Sequence, residues 1–149
     1  MSVEALWPSR EYVPRAQPSN NDSLVLRVGY SGSSALLEGD AEAPAEAGML
    51  ALGRLGPVDL LKVGHHGSRS SSTPAFLDAV RPRYAAIEVG RRNFYGHPRH
   101  EVLDALEARR VETYRTDMFG ATEFVLEGGR VRAEPWAGED HGWLAGWVQ

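Results

Sequence analysis

The chain has no cysteine. That excludes disulfides and any thiolate metal site, so a metal would have to be held by imidazole and carboxylate, a donor set that suits zinc or manganese. It does not choose between a reducing and an oxidising compartment. Lysine is almost missing too: Lys62 is the only one, and the remaining basic residues are arginines. No apolar run approaches the ~20 residues of a membrane-spanning helix. Residues 1–10 have neither a basic n-region nor an apolar h-region, so no signal peptide is expected there. No Gly-x-Ser-x-Gly elbow surrounds Ser68, Ser70, Ser71 or Ser72, and no glycine-rich phosphate loop is present. Internal repeats are absent as well.

What is present fits one globular domain. There are 149 residues, of which 42% are hydrophobic and 24% charged, with a net charge of −4. The charge is uneven. Between residues 61 and 100 seven basic side chains face two acidic ones, so that stretch carries +5 and the remainder −9. A basic middle in an acidic chain suits an anionic ligand, although arginines spread over a solvated face give the same count.

Residues 1–21 carry Pro8, Pro14 and Pro18 and read as an irregular arm with a short strand at 3–7. Strands are expected at 23–30 and 34–39, joined by a turn at Ser31-Gly32-Ser33. A helix is expected over 42–55, with Pro44 in its first turn. Leu60, Leu61 and Val63 make a buried strand. Ser72 or Thr73 caps the next helix, whose first turn holds Pro74 and whose apolar face is Phe76, Leu77 and Val80. A strand at 84–89, a helix opened by His97-Pro98 and running to about 109, and a strand at 111–116 follow. A hairpin over 122–126 and 130–133 leads to a tail from residue 134 that holds Trp136, Trp143 and Trp147. Repeated βαβ units with antiparallel flanks give an α/β fold with a mixed sheet and flanking helices.

The chemistry gathers at strand ends. The apolar run before Gly64 delivers His65 and His66 to the C-terminal end of a strand, the edge where ligands of such sheets bind. Asp40 ends an earlier strand, and His97 follows a later one. If those strands are neighbours, the carboxylate and the imidazoles converge. Adjacent residues point apart, so one of His65 and His66 is expected to reach a metal while the other orients a ligand or contacts substrate. Asp40 also suits an N-cap of the following helix, and His97 suits a cap or a satisfied loop position.

Leu36-Leu37-Glu38-Gly39-Asp40, Leu61-Lys62-Val63-Gly64-His65-His66-Gly67-Ser68 and Tyr95-Gly96-His97-Pro98 resemble the metallo-β-lactamase-like domain of the ComEC family of DNA-internalisation competence proteins. Asn20-Asn21-Asp22-Ser23-Leu24-Val25-Leu26 resembles the stretch before that family's Gly-Asp motif, and the likeness covers roughly residues 3–127. The resemblance implies half of an αβ/βα sandwich and a di-metal hydrolytic site using zinc or manganese. It implies a metal role for Asp40 and for a histidine of the pair, assigned to His66. DNA is the implied partner, as a single strand or through its phosphate backbone. His65 and His97 are assigned to the phosphate as catalytic residues, with Arg91, Arg92 and Ser68 contacting substrate. It further implies a soluble domain tied to a bacterial inner-membrane protein, on its outer face.

The His-x-His-x-Asp-His motif of that superfamily occurs nowhere in this chain. Three expectations follow. The chain is a C-terminal half-domain cut from a longer protein, or another polypeptide or a second copy completes it, or it has shed catalysis and binds nucleic acid or a partner. A related hydrolase of thioesters or lactones is a further alternative. An unpartnered half should expose an apolar sheet face or self-associate.

Overall fold

The computed structural model describes residues 1–14 and 16–135. The tail aromatics Trp136, Trp143 and Trp147 lie outside the described residues. A six-stranded sheet forms the centre, and its spatial order follows chain order, β1-β2-β3-β4-β5-β6. Strands β1 (Ser2–Trp7), β2 (Val25–Tyr30) and β3 (Ser33–Leu37) pair antiparallel. From β3 onward the sheet is parallel, through β4 (Leu60–Lys62), β5 (Tyr84–Ile87) and β6 (Glu112–Arg115). Helices α1 (Ala43–Ala51), α2 (Pro74–Val80) and α3 (His100–Ala108) make the crossovers. A short helix α4 (Thr116–Phe119) leads to a hairpin of β7 (Thr122–Glu127) and β8 (Arg130–Pro135), whose strands, among the described residues, pair only with each other. The mixed sheet and flanking helices are those expected from the sequence.

The two faces of the sheet are covered differently. On one, Leu36, Leu61, Ala85 and Ile87 pack with Met49 of α1, Phe76, Leu77 and Val80 of α2, and Val102 and Leu106 of α3. Burying side chains of this size stabilises a fold by ~1.5–3 kcal/mol each before entropy is charged against it. On the other face, Ala35, Leu60 and Tyr84 meet Val131, Phe124 and Leu126 of the hairpin.

Element ends show where distant contacts override local pattern. The expected helix over 42–55 stops at Ala51. Gly53 sits at φ +62°, and its amide and that of Arg54 close onto Leu50 O and Met49 O, a Schellman stop. The third crossover helix begins at His100 rather than at His97-Pro98. Arg99 is extended at its N-cap, and the Arg99 amide is taken by Gly67 O at 2.9 Å. In the arm, the strand expected at 3–7 is β1, on the edge of the sheet, and Asn20–Asp22 forms a 3₁₀ turn. Thr73 is the helix cap foreseen, accepting from the Phe76 amide at 3.3 Å.

Candidate functional site

Strands β3 and β4 are parallel neighbours, with Leu36 opposite Leu61, so Asp40 and the His65-His66 pair leave the sheet at the same edge. The chain beyond β4 turns sharply. His65 and His66 take φ of 45° and 54°, the left-handed region, and Gly67 follows at φ +79°. Non-glycine residues held there cost on the order of 1–3 kcal/mol each and persist only when neighbours enforce them. The enforcement is visible. Glu38 Oε2 accepts from the Gly64 amide at 2.9 Å, Gly39 O accepts from the His65 amide at 3.0 Å, and the Ser71 hydroxyl donates to Gly64 O at 2.8 Å.

The two histidines diverge, as adjacent residues should; their ring centroids are 6.5 Å apart. His66 Nδ1 lies 2.7 Å from Glu88 O. A carbonyl can only accept, so Nδ1 carries a proton and the neutral ring has its lone pair on Nε2. That Nε2 sits 3.5 Å from Asp40 Oδ1. A lone pair facing a carboxylate needs a cation or proton between them. Two ligands of a tetrahedral zinc at ~2.0–2.2 Å are themselves ~3.4 Å apart, so the pair has the spacing of two ligands on one ion. The backbone acceptor on Nδ1 is the usual orienting partner of a ligating imidazole. Asp40 and His66 therefore fit a metal as two donors. No group of three or more His, Asp or Glu among the described residues is arranged to hold one, so these donors do not complete a centre.

His65 points into a polar cluster that the sequence reading did not foresee. Its Nδ1 is 3.1 Å from Glu42 Oε1 and 3.3 Å from the Ser70 hydroxyl, and Asn20 Nδ2 lies 3.4 Å from its Nε2. Ser70 also donates to Glu42 at 2.8 Å. Burial acts to raise the Glu42 pKa, but the hydrogen bonds from Ser70 and Asn20 and the His65 charge outweigh it and leave it lowered. Glu42 holds the N-cap position of α1, yet its side chain makes no cap hydrogen bond. The signal for this role was the polar Asn20-Asn21 pair ahead of β2, whose side chains both reach Glu42.

His97 joins the group, its ring centroid 5.7 Å from that of His65. Burial, then electrostatic coupling to His65, Arg99 and His66, lower its pKa, which favours the neutral imidazole at pH 7. His97 Nδ1 is buried and bonded to none of the described residues. A cavity of about 310 Å³ opens beside it, lined in part by His66, Val89, Asn93, Tyr95 and His97. The remaining expected substrate contacts are less central. Ser68 is buried, with its hydroxyl 2.9 Å from that of Ser70. Arg91 and Arg92 are exposed on the loop before His97 and do not line the cavity.

With this edge in view, similarity to known proteins can be placed. The chain is 38% identical over 118 residues to Competence protein ComA of Neisseria gonorrhoeae, a match covering 77% of the chain and 17% of that protein. It is 36% identical over 111 residues to ComE operon protein 3 of Bacillus subtilis, covering 74% of the chain and 14% of that protein. Its relatives are ComEC-family proteins. Recombination protein 2 of Haemophilus influenzae, 33% identical over 124 residues, covers 78% of the chain and 16% of its own length. The chain spans about a sixth of the length of these relatives. No family model matches it. Among the described residues no helix is long and apolar enough to cross a membrane.

Proposed function

We propose that this chain is part of a DNA-handling domain of the DNA-uptake machinery, and that its histidine-lined sheet edge engages the phosphodiester backbone. The similarity to competence proteins supports the setting. The observation that carries the chemistry is the convergence of Asp40 and His66 at 3.5 Å beside His65 and His97. In this reading Asp40 and His66 hold zinc or manganese, together with donors from the rest of a metallo-β-lactamase-like domain. The metal, when bound, supplies a water that ionises near pH ~7. His65, oriented by Glu42, and neutral His97 hold the phosphate oxygens. Arg91 and Arg92 neutralise the flanking backbone. Hydrolysis places a water oxygen on phosphorus, breaks the bond from phosphorus to one sugar oxygen, and leaves a proton on the departing oxygen.

A second reading is a module that binds DNA without cutting it, favoured by the lack of a third metal donor among the described residues. Fluorescence anisotropy with a labelled oligonucleotide tests the shared part. Binding should weaken linearly on a logarithmic salt scale, with a slope set by the number of phosphates contacted. An Arg91→Ala/Arg92→Ala double variant should flatten that slope by about 1–2. Cleavage restored by adding the remaining residues of the domain, together with manganese or zinc, supports the hydrolase; binding with no cleavage in that mixture supports the module. Salt-independent binding, or none, sinks both.

A further inference from the structure

The loop from Val89 to Arg99 has features that holding a phosphate does not require. Phe94 is 100% exposed and Tyr95 76% exposed. Two adjacent aromatics left in water at a loop tip contribute nothing to the core. The loop that carries them is nevertheless built. Asn93 clasps His97 on both sides, its Oδ1 accepting from the His97 amide at 2.9 Å and its Nδ2 donating to His97 O at 2.9 Å. Gly96 takes φ +69° inside that clasp, and Arg99 Nη2 donates to Tyr95 O at 3.0 Å. The aromatics are thus held out by a fixed frame, which lowers the ordering cost of any ligand they meet.

The Tyr95 ring lies nearly parallel to that of His97, with an interplanar angle of 9° and centroids 6.1 Å apart. Both border the cavity of about 310 Å³, whose walls include Val89 and Gly90. That is the small end of the ~300–1,000 Å³ range of ligand cavities. It shares His97 with the phosphate-facing group and His66 with the metal pair, so a ligand lying there is continuous with one held at the histidines. His97 Nδ1 is buried and bonded to none of the described residues. Arg91, Arg92 and Arg99 are exposed on the same loop.

A cavity lined by Val89, Gly90, Tyr95 and His97, with Glu88 and Asn93 also in its wall, exposed aromatic faces and guanidinium groups on the same loop match one chemical class: an unpaired nucleobase on a phosphate backbone. Every base has a π-face, so aromatic stacking is tolerant of sequence, and arginines track the chain of phosphates. In a duplex those faces are already stacked and paired. We infer that Phe94, Tyr95 and His97 form a stacking platform for an unpaired base beside the histidine site. This rests on the DNA reading above and goes further, since a backbone-only site would accept duplex and single strand alike.

The test compares three probes of equal length by anisotropy with the full chain: a single-stranded oligonucleotide, the same backbone with abasic residues, and the duplex. The base-bearing single strand should bind about tenfold or more tighter than the abasic one, the usual worth of one or two stacked bases. Tyr95→Ala should remove most of that difference while leaving abasic binding unchanged, and Tyr95→Phe should restore it. Phe94→Ala, at a fully exposed position, should act in the same direction with no loss of fold. Equal affinity for base-bearing and abasic strands, both salt-dependent, would overturn the platform and leave the DNA reading standing. No binding to any probe would overturn both. A Phe94→Ala change that leaves every affinity untouched and instead abolishes self-association would reassign the aromatics to a protein contact and overturn the inference.

Discussion

Glu38 Oε2 accepts the Gly64 amide at 2.9 Å, tying the end of β3 to the turn that carries both histidines. The fit is close: a Cβ on Gly64 would lie 2.7 Å from the Glu38 carboxyl carbon. Glu38 is fully buried, and so is Glu46, which accepts from the Ser72 and Thr73 amides and the Thr73 hydroxyl. Burial, then the charge of Glu46, pushes the Glu38 pKa well above its ordinary value. The raised pKa favours the protonated form of Glu38, while the Glu46 carboxyl is held by amide and hydroxyl donors.

A stability prediction follows from that raised pKa. The folded state holds the Glu38 proton more tightly than the unfolded chain does. The resulting stabilisation is fully present below the unfolded carboxyl pKa of ~4.3 and is lost as pH rises through the folded value. Glu38→Gln keeps the shape, the acceptor for Gly64 and a donor, but cannot ionise. Thermal unfolding across pH should show the wild type falling on the alkaline side and the variant falling less. The gain should be about 2–4 °C for each kcal/mol recovered. Identical pH profiles would mean that Glu38 does not hold its proton.

Asp40 and His66 set a metal prediction. Two donors cannot match a structural zinc site with four ligands. Calorimetric titration of the isolated chain with zinc should give a Kd on the order of micromolar or weaker. His66→Ala should abolish even that. Stoichiometric, tight binding of two metals by a single chain would refute the two-donor reading.

Much of this geometry was legible because it is local. The apolar run before Gly64, the Pro74 after a Ser/Thr cap, and the glycines after strands mark the elements to within a few residues. So was the meeting of Asp40 and His66, since one right-handed βαβ step makes β3 and β4 neighbours. The rest depended on pairs remote in sequence. Glu42 falls at the start of the helix expected over 42–55 but serves His65, and no local pattern marks Glu38 and Glu46 as neighbours in the core. Nothing in the local pattern singles out Asn93, whose side chain brackets His97. Gly53 was the overlooked signal for the end of α1.

Gly67 and Gly53 give a paired backbone test. Both have positive φ, +79° and +62°, so alanine is strained at each. A Cβ at Gly67 would also lie 2.6 Å from Pro98 Cβ, whereas one at Gly53 would meet nothing within 4 Å. Gly53→Ala should cost about 1 kcal/mol and leave the site intact. Gly67→Ala should cost about 2–4 kcal/mol, because the clash adds to the strain, and should displace the loop that carries His97. Denaturant midpoints measure the costs, and oligonucleotide affinity reports the displacement. Equal costs at the two positions would show that Pro98 yields freely.

The last prediction concerns the sheet face that carries the hairpin. Register places Val3 of β1, Val28 of β2 and Ala35 of β3 side by side, with Ala5, Leu26 and Leu37 forming the next row. Ala35 continues into Leu60 and Tyr84, where β7 and β8 pack. Toward β1 the cover gives out: Val3 is 57% exposed, Tyr30 51% and Leu37 38%. Exposed aliphatics in adjoining rows of a sheet form a patch rather than scattered single residues, and such patches mark interaction sites. Among the described residues β1 is also an edge strand, with one side unpaired. In light scattering the chain should therefore gain apparent mass with concentration. Val3→Lys with Leu37→Lys should hold it at one chain without changing the circular dichroism, because neither position belongs to the buried core. If association persists in the charged variant, the contact lies elsewhere. If the wild type remains a single chain at high concentration, the hairpin alone is enough cover and this half of the sheet tolerates water.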